Sequence, residues 1–335
     1  MVGVKVSCMK SIGIILNPSA RINKKTPSNI IDELKIIFGD TAMIFPTSSK
    51  EETADVINDF DKEELKFLLI SGGDGTICNV LTSYINLWGK KNLPIIVPLM
   101  GGTINMIGAD VGLRENQLSV CRKLNSLIKN KQMIPVTERG LLEISDSNLS
   151  QTNYGFTWID GLLYKFMLDY YTQGAGVQVA SMLAIKTILM SIADSENGIF
   201  SPIDSTVYID KKELPKKGHV FVISSCLKKF VFGFNIFHDQ PEPGVSFNTV
   251  YMREPYLKKS KHKIPLGLYK GLESDDSGDF INQSVSNLRI QRNKGYIIDG
   301  EIYEHDIETE IIIKSGPKVN IFSQKGEKEL SILGT

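Results

Sequence analysis

The residues that could do chemistry begin with a glycine-rich turn around one aspartate. Residues 72–76 read Gly-Gly-Asp-Gly-Thr and follow the apolar run Phe67–Ile70. Helix-like apolar spacing resumes over 77–87, so the turn connects a strand to a helix. Glycine lets a backbone approach a bulky anion, and the free N–H groups of a helix N-terminus attract negative charge. Asp74 would repel phosphate and has little structural purpose there, which favours a role with a metal ion or a proton.

Two further loops carry polar groups that suit a phosphate or a ribose. Asn17-Pro18-Ser19-Ala20 follows the apolar run Ile12–Leu16, and residues 98–105 form a second glycine turn that ends in a hydroxyl and an amide. Neither glycine turn is a Walker A loop or a dinucleotide-binding fingerprint. Taken alone, each is as compatible with an ordinary strand-to-helix turn as with a ligand site.

A pair of carboxylates, Asp299 and Glu301, flanks Gly300 near the end of the chain. In isolation, an Asp-Gly dipeptide between apolar residues is typical of a two-residue β-hairpin turn. These residues therefore predict a hairpin first, and a chemical role only where other features support one.

Strand and helix patterns alternate through roughly the first 135 residues, and this order positions the polar loops. Strands are predicted at 12–16, 42–45, 67–70 and 95–99, with helices that include 28–38 and 49–60. The alternation is typical of a mostly parallel sheet with helices on both faces. Ligands bind beyond the carboxyl ends of the strands in such sheets. Because all three polar loops follow strands, we expect them to lie at one edge of the sheet.

From about residue 139 the pattern changes to short strands separated by polar or Gly/Pro turns. The predicted strands are 140–144, 154–159, 205–209, 219–224, 232–237 and 246–252. Such a series predicts an antiparallel sheet or sandwich. The apolar segment 177–193 is typical of a packing helix, and the basic run 256–263 of a solvated loop. The alternative for both segments is contact with a lipid surface.

Composition narrows the class of protein. The 335 residues contain 38 Lys plus Arg against 38 Asp plus Glu, so no overall positive charge attracts nucleic acid. The four cysteines are scattered, without a Cys-x-x-Cys pair, which argues against a zinc ribbon or a disulfide framework. No apolar run reaches the roughly 20 residues of a transmembrane segment. We expect a cytoplasmic protein that meets a membrane, if at all, peripherally at its inner surface.

The order and spacing of these motifs resemble the diacylglycerol-kinase catalytic-domain family, which includes bacterial diacylglycerol kinase-like enzymes, sphingosine kinases and ceramide kinases. Asn-Pro follows the first strand, Gly-Gly-Asp-Gly-Thr follows a later one, Gly-Thr-x-Asn stands at 102–105 and Asp-Gly-Glu at 299–301. The resemblance spans nearly the whole chain. NAD kinases share Gly-Gly-Asp-Gly-Thr, whereas the last two motifs and the β-rich second half favour lipid kinases.

The resemblance implies an α/β fold of two domains. Residues 1–138 are expected to form a nucleotide-binding α/β domain with a mostly parallel sheet, and residues 139–316 a C-terminal antiparallel β-sandwich domain for the lipid substrate. Residues 317–335 are expected to return to the first domain through a strand near 319–322. The resemblance also implies a site in the cleft between the domains. That site would use ATP and Mg²⁺ to phosphorylate a lipid hydroxyl, a reaction of phospholipid biosynthesis.

The resemblance assigns roles residue by residue. The residues it implies for ATP binding are Asn17, Thr47, Gly72, Gly73, Gly75, Thr76, Gly102, Thr103 and Asn105. Glu301 matches the family's proton acceptor. Asp74 and Asp299 are expected to support Glu301 or to organise Mg²⁺. Asp74 is the expected metal ligand and the second choice for proton acceptor.

The sequence also departs from the family's pattern. Met106 stands where members usually have Asp, Ala20 where they have Gly, and Pro243 where an Asp feeds a second magnesium site. Two alternatives to the lipid kinase therefore stay open. One is an NAD kinase-like enzyme with a soluble substrate, and the other is a catalytically weak regulator that binds nucleotide or lipid. The identity of the lipid and the oligomeric state, including a homodimer, also stay open.

Overall fold

A computed structural model describes residues 11–331, without 24–26, 61, 63, 103, 173–201, 215–216, 261–262, 264–266, 268–269, 293–294, 305–306 and 325. The predicted helix at 177–193 therefore lies outside the described residues. The chain divides into two compact units. Unit 1 holds the residues up to Glu138 together with those from Val319 onward, and unit 2 holds Arg139–Lys318.

Unit 1 is built on four parallel strands of mostly apolar residues. β1 (Ile12–Leu16) and β3 (Phe67–Ser71) are buried at every position, as expected for strands covered on both faces. They pair in parallel with each other, and β2 (Ala42–Pro46) and β4 (Ile95–Pro98) flank them in the order β2-β1-β3-β4. The predicted parallel sheet is confirmed.

Helices connect and cover these strands. They are α1 (Pro27–Phe38), α2 (Lys50–Asp59), α3 (Asp74–Trp88), α4 (Met106–Asp110) and α5 (Gln117–Lys129). The start of α2 shows how the sequence sets a boundary, because the Ser49 hydroxyl accepts a hydrogen bond from the Glu52 N–H at 3.1 Å. In α3, Val80, Leu81 and Tyr84 are fully buried.

Unit 1 also contains all or part of three further strands. They are the first residues of β5 (Ile134–Asp146), the last residues of β16 (Thr309–Phe322) and the whole of β17 (Lys328–Leu330). β17 pairs antiparallel with β5. Near the end of β16, Ile321 pairs in parallel with Ile96 of β4.

Unit 2 contains a six-stranded, entirely antiparallel sheet. Its strands are β7 (Thr157–Gly161), β10 (Phe221–Ser225), β11 (Phe247–Met252), β12 (Phe280–Val285), β14 (Tyr296–Ile298) and β15 (Glu301–Tyr303). They run in the order β12-β11-β10-β7-β14-β15. Among the residues of unit 2 that the structure describes, two segments form α-helices, α6 (Leu162–Thr172) and α7 (Glu254–Ser260).

A second antiparallel group in unit 2 has one buried face. It consists of β8 (Ser205–Ile209), β9 (Lys212–Glu213), β13 (Asn287–Arg292) and the first part of β16, while β6 (Asn153–Gly155) pairs with β5. Burial alternates residue by residue along β8 and β13, the pattern of a sheet packed on one side. The predicted fold class, α/β with an antiparallel second part, is confirmed.

Two sequence predictions for unit 2 are wrong. The predicted strand at 232–237 is a 3-10 turn, Val231–Gly233, followed by irregular chain, although Phe237 is buried. The basic run at 256–263 is helical through Ser260, where Tyr256 stacks on Phe280 with ring centroids 4.5 Å apart. In both places burial of aromatic rings, which has no simple period in the sequence, decides the local structure.

Among the helices that the structure describes, none combines the length and the apolar content needed to cross a bilayer.

Candidate functional site

Three loops of unit 1 leave the carboxyl ends of neighbouring strands. The parallel register places Leu16 beside Ser71, and Ile70 beside Pro98. Backbone hydrogen bonds then join the loops themselves, from Asn17 N–H to the Ser71 carbonyl at 2.8 Å and from Gly101 N–H to the Gly72 carbonyl at 2.7 Å. The convergence that the sequence predicts is therefore present in unit 1.

The two glycine turns touch backbone to backbone. A Cβ atom added to Gly102 would lie 2.6 Å from the Gly73 Cα, closer than real side chains approach a backbone. A Cβ on Gly72 would collide with the side chain of Thr76. Glycine is needed at these positions because the two loops and the start of α3 pack without room for side chains.

The N-terminus of α3 offers backbone donors at this edge. α3 starts at Asp74, and its N-cap residue, Gly73, makes no side-chain capping hydrogen bond. The first N–H groups of a helix have no partner within the helix, and they carry a partial positive charge. A helix of 15 residues that starts in a glycine turn therefore presents a phosphate-type anion with backbone donors.

Asp74 has a structural task that the sequence did not indicate. It is 8% exposed, and its two carboxylate oxygens accept hydrogen bonds from Met106 N–H at 2.9 Å and Ile107 N–H at 3.1 Å, which cap the start of α4. The expectation that an aspartate here has little structural purpose is wrong, because it ties one glycine turn to the helix after the other. Burial raises the pKa of Asp74, although the two N–H groups oppose that rise.

The polar residues predicted to line the pocket are also held by the loops. Asn17 donates to the Thr76 hydroxyl at 3.1 Å and accepts from Ser19 N–H at 2.8 Å. Asn105 closes its own turn, accepting from Gly102 N–H and donating to the Gly102 carbonyl, both at 3.0 Å. These side chains shape the loops.

Of two other predicted ATP contacts, Thr47 lies in the described part of the chain and Thr103 does not. Thr47 is 4% exposed and follows β2, with its hydroxyl accepting from the Thr53 hydroxyl at 3.2 Å. Gly75 and Thr76 lie in the first turn of α3, as their motif predicts.

A buried amide cluster beneath the loops was missed. The Asn23 amide donates to the Asn17 carbonyl at 2.7 Å and to the Ser71 hydroxyl at 3.0 Å, and that hydroxyl donates to Gln117 Oε1 at 2.9 Å. Asn23 and Gln117 are 94 residues apart, so no local pattern joins them. The cluster connects the end of β3 to the loop after β1 and to the start of α5.

The donor set of unit 1 fits Mg²⁺ only in combination with phosphate. Across the described residues, no group of three or more His, Cys, Asp or Glu side chains could hold a metal ion. Each Asp74 oxygen accepts one backbone N–H, and a carboxylate has about four lone-pair positions. Mg²⁺ commonly takes one or two carboxylates and completes its shell with phosphate oxygens and water. Asp74 can therefore contribute one ligand.

The Asp-Gly dipeptide of unit 2 forms the predicted hairpin. Asp299 and Gly300 have φ angles of 45° and 89°, and the flanking residues Ile298 and Glu301 pair as the last rung of β14 and β15. Two central residues with positive φ define the turn type that suits the strand twist. The hairpin prediction is confirmed.

Asp299 fastens this hairpin to the junction of β6 and β7. Its carboxylate accepts from Phe156 N–H and from Thr157 N–H, each at 2.8 Å, and its own N–H donates to the Thr157 carbonyl at 3.0 Å. A Cβ on Gly155 would lie 2.8 Å from the Asp299 carboxylate, so glycine at 155 permits this approach. Asp299 is 2% exposed, and its charge adds to burial in raising the pKa of the Cys226 thiol.

Glu301 is the predicted carboxylate that is not committed to the fold. It is half-buried at the first position of β15. Within the part of the chain that the structure describes, no hydrogen bond or ion pair engages its carboxylate. Asp74 and Asp299 each accept two backbone N–H groups, whereas Glu301 keeps its lone pairs for a ligand or a proton.

Comparisons with known proteins agree with this architecture. Residues 11–136 match the family model of the diacylglycerol kinase catalytic domain. The fold resembles that of a proposed diacylglycerol kinase from Bacillus anthracis str. Sterne, with a TM-score of 0.65 and 16% identity over 97% of this chain and 98% of that one. A structure described as a diacylglycerol kinase from the same organism gives 0.60 and 14% identity over 94% and 97%.

No curated protein matches the sequence. The structural likenesses, at these identities, support the fold, and the likeness to the family depends on the match of residues 11–136 to the family model. Over residues 11–136, the chain is similar to the diacylglycerol kinase catalytic domain family.

Proposed function

We propose that this protein is an ATP-dependent kinase that phosphorylates a hydroxyl group of a diacylglycerol-, ceramide- or sphingoid-type lipid. The observation that carries the proposal is the pair of glycine turns in backbone contact beside the uncapped N-terminus of α3. The match of residues 11–136 to the diacylglycerol kinase catalytic domain supports ATP as the phosphate donor and a lipid as the acceptor.

In this proposal the backbone of unit 1 holds the triphosphate. The N–H groups of the first turn of α3, including Gly75 and Thr76, face the phosphates, and Gly72, Gly73 and Gly102 keep the backbone accessible to them. Thr47 and Thr103 belong to the same proposed ATP-binding set. Asn17 and Asn105 act mainly by holding the loops, since their amides are bonded to Thr76 and Gly102.

Charge neutralisation is the second requirement. Phosphoryl transfer goes through a loose, in-line transition state, so positioning and charge stabilisation carry most of the catalysis. We propose that Asp74 provides the carboxylate ligand for Mg²⁺. When bound, this ion would neutralise the charge on the phosphate oxygens. Asp74 would bind the ion while the same carboxylate still caps α4.

Proton removal from the acceptor hydroxyl is assigned to Glu301. A general base must have lone pairs free to accept the proton, and it typically contributes about 10²–10⁴-fold in rate. Asp299 is unsuited to this task because it is only 2% exposed and both its oxygens accept backbone N–H groups. We therefore assign Asp299 to positioning Glu301, and Asp74 to the phosphate side of the reaction.

The test is a phosphate-transfer assay with a panel of defined acceptors. Radiolabelled ATP and Mg²⁺ would be incubated with the protein and mixed micelles that contain diacylglycerol, ceramide or a sphingoid base, with NAD in a parallel reaction. We expect label in one of the phosphorylated lipids and none in NADP. Label in NADP alone would replace the proposal with an NAD kinase-like activity.

A binding measurement separates the remaining alternative. Isothermal titration calorimetry with ATP and Mg²⁺ is expected to give saturable binding that the Gly102→Ala substitution weakens. ATP binding together with no phosphate transfer to any acceptor would instead identify a regulator that binds nucleotide without catalysis. Absence of ATP binding would refute the phosphate-site assignment itself.

A further inference from the structure

Unit 2 contains a fully buried chain of charged and polar side chains that the reaction described above does not use. Asp160, His219 and Arg292 have side chains that are 0% exposed, and Ser205 is 4% exposed. Arg292 pairs with Asp160 Oδ1, and His219 Nε2 lies 2.9 Å from Asp160 Oδ2. The Ser205 hydroxyl lies 2.7 Å from His219 Nδ1.

The order Ser205–His219–Asp160 is that of a hydrolase triad, but this cluster cannot act as one. A nucleophilic serine must meet its substrate, and the Ser205 side chain is sealed in the interior of unit 2. Asp160 is also neutralised by Arg292, which no hydrolase triad requires. The cluster must therefore act through what it holds in place.

Arg292 connects this cluster to the hairpin that carries Glu301. Its Nη2 donates to the carbonyl of Gly295, the residue directly before β14. Asp160, its ionic partner, belongs to β7, the strand on which β14 pairs through Ile297 and Ile159. Arg292 thus joins the entry of the hairpin to its neighbouring strand with a single side chain.

The contact at Gly295 leaves little freedom. A Cβ at Gly295 would collide with the Tyr303 carbonyl, on the opposite strand of the hairpin, and with the Tyr164 hydroxyl. At the other end of the hairpin, Asp299 is fastened to Phe156 and Thr157. The hairpin is therefore held at both ends, and Glu301 lies two residues after the second anchor.

Stability alone is a weak reason for such a cluster. Burial raises the pKa of Asp160, but the positive charge of Arg292 and the hydrogen-bonded His219 outweigh it, so the pKa is lowered and the carboxylate is ionised. A buried ion pair costs much of its attraction in lost hydration, and apolar replacements are often as stable. What the planar guanidinium supplies is fixed geometry, since it reaches a carboxylate and a carbonyl at once.

We propose that Arg292, held by Asp160, is a positioning residue that fixes the hairpin of residues 295–303 and through it the carboxylate of Glu301. This inference rests on the proposed kinase function for its catalytic consequence. Its structural half, the anchoring of the hairpin, can be measured without any activity.

The experiment removes both charges together, so that no charge is left buried without a partner. In the Asp160→Asn, Arg292→Met double variant, the introduced amide oxygen can still accept from His219, and the Met side chain approximates the Arg stem. We expect a folded protein with a melting temperature within a few degrees of wild type. We expect kcat for lipid phosphorylation to fall about 10- to 100-fold, as misplaced catalytic groups do, with KM for ATP unchanged. Amide hydrogen exchange should accelerate selectively in residues 295–303.

Arg253 and Asp279 provide a matched control. They form a partly buried ion pair at 2.5 Å beside β11 and β12, at the far end of the same sheet from β14. The Arg253→Met, Asp279→Asn double variant should leave both kcat and exchange at 295–303 unchanged. A third variant, Arg292→Lys, keeps the charge next to Asp160 but loses the second N–H of the fork, and it should give an intermediate loss of kcat.

The outcomes separate the two proposals. Unchanged kcat and unchanged exchange at 295–303 in the Arg292 variants would overturn the positioning role. If the double variant does not fold, Arg292→Lys decides in the same way, and wild-type behaviour of that variant would overturn the role. If wild-type protein phosphorylates no lipid, the proposed function fails. Exchange in the hairpin then still decides whether Arg292 anchors it.

Discussion

The glycine turn of unit 1 and the hairpin of unit 2 each place an aspartate before a glycine. Both aspartates have the same structural role, because each carboxylate accepts hydrogen bonds from two consecutive backbone N–H groups. The donors are Met106 and Ile107 for Asp74. They are Phe156 and Thr157 for Asp299. In each case a side chain joins its own turn to a segment that is distant in the sequence.

The two regions differ in what is left uncommitted. In the glycine turn, the free groups are backbone donors at the start of α3, which suit an anion. In the hairpin, the free group is the Glu301 carboxylate, which suits a proton or a hydroxyl. Whether an acidic residue in a motif is a catalytic candidate thus depends on which lone pairs of its carboxylate the hydrogen bonds within the fold leave free.

Replacing Glu301 should have the largest effect on the reaction. We expect Glu301→Gln to lower kcat by about 10²–10⁴-fold, because the amide cannot accept the proton of the acceptor hydroxyl. ATP affinity, measured by calorimetry, should stay at the wild-type value. The matched control is Glu304→Gln, an exposed glutamate after the same hairpin, which should retain full turnover. Equal losses in the two variants would remove Glu301 from its role.

Replacing each of the two aspartates should change the kinetics in a different way. Asp299→Ala leaves two buried N–H groups without acceptors, at a cost of about 1–3 kcal/mol each. It should lower kcat roughly 10- to 100-fold by loosening the hairpin, with KM for ATP unchanged. Asp74→Ala should raise KM for ATP as well as lower kcat, because it frees α4 from the glycine turn. Steady-state kinetics of both variants measures these changes. The same changes in kcat and in KM for ATP in the two variants would contradict the different roles of the two aspartates.

The contact between the glycine turns predicts an asymmetric pair of variants. Gly102→Ala places a Cβ 2.6 Å from the Gly73 Cα and should lower the free energy of unfolding by about 1–3 kcal/mol, the usual cost of overpacking. Gly73→Ala places its Cβ 3.4 Å from the Gly102 Cα, an ordinary contact, and should cost clearly less. Urea unfolding of both proteins checks this, and equal destabilisation would speak against the packed loop contact.

The smallest expected effect is a pH dependence from Asp74. Its pKa is raised in the folded protein because burial outweighs the N–H groups of Ile107 and Met106. The folded state therefore holds this proton more tightly than the unfolded chain. The contribution of Asp74 to the free energy of unfolding is complete at pH values below its ordinary pKa of 3.8. It is lost as the pH rises through the raised pKa of the folded protein.

Urea unfolding at a series of pH values measures this contribution. The free energy of unfolding of wild type, relative to the Asp74→Asn variant, should decrease as pH rises across that window. A difference that stays constant with pH, or that grows, would show that the carboxylate of Asp74 is not held in a predominantly desolvated environment.

Local patterns in the sequence predicted much of the fold. The apolar runs of β1 and β3 are fully buried parallel strands, and Asp299-Gly300 forms its two-residue turn. These predictions succeed because burial on both faces and positive φ angles impose strong local requirements on residue type. The loops after Leu16 and Ser71 could likewise be placed at one edge from topology alone.

The parts that sequence could not reveal are contacts between distant residues. Asn23, Ser71 and Gln117 meet beneath the loops, and Asp160 meets Arg292, with separations that leave no periodic trace. The structural role of Asp74 was missed for the same reason, since its partners are 32 and 33 residues away. The strand predicted at 232–237 failed because Phe237 is buried without the alternation of a strand.

The most direct test of the central claim is transfer of labelled phosphate from ATP to a total lipid extract. Wild-type protein and Glu301→Gln would be assayed in parallel, and the product identified by mass spectrometry. The account predicts a phosphate monoester of a lipid alcohol with wild type and almost none with the variant, although both bind ATP equally. Label that never enters the lipid fraction, or that enters it equally with both proteins, would contradict the account.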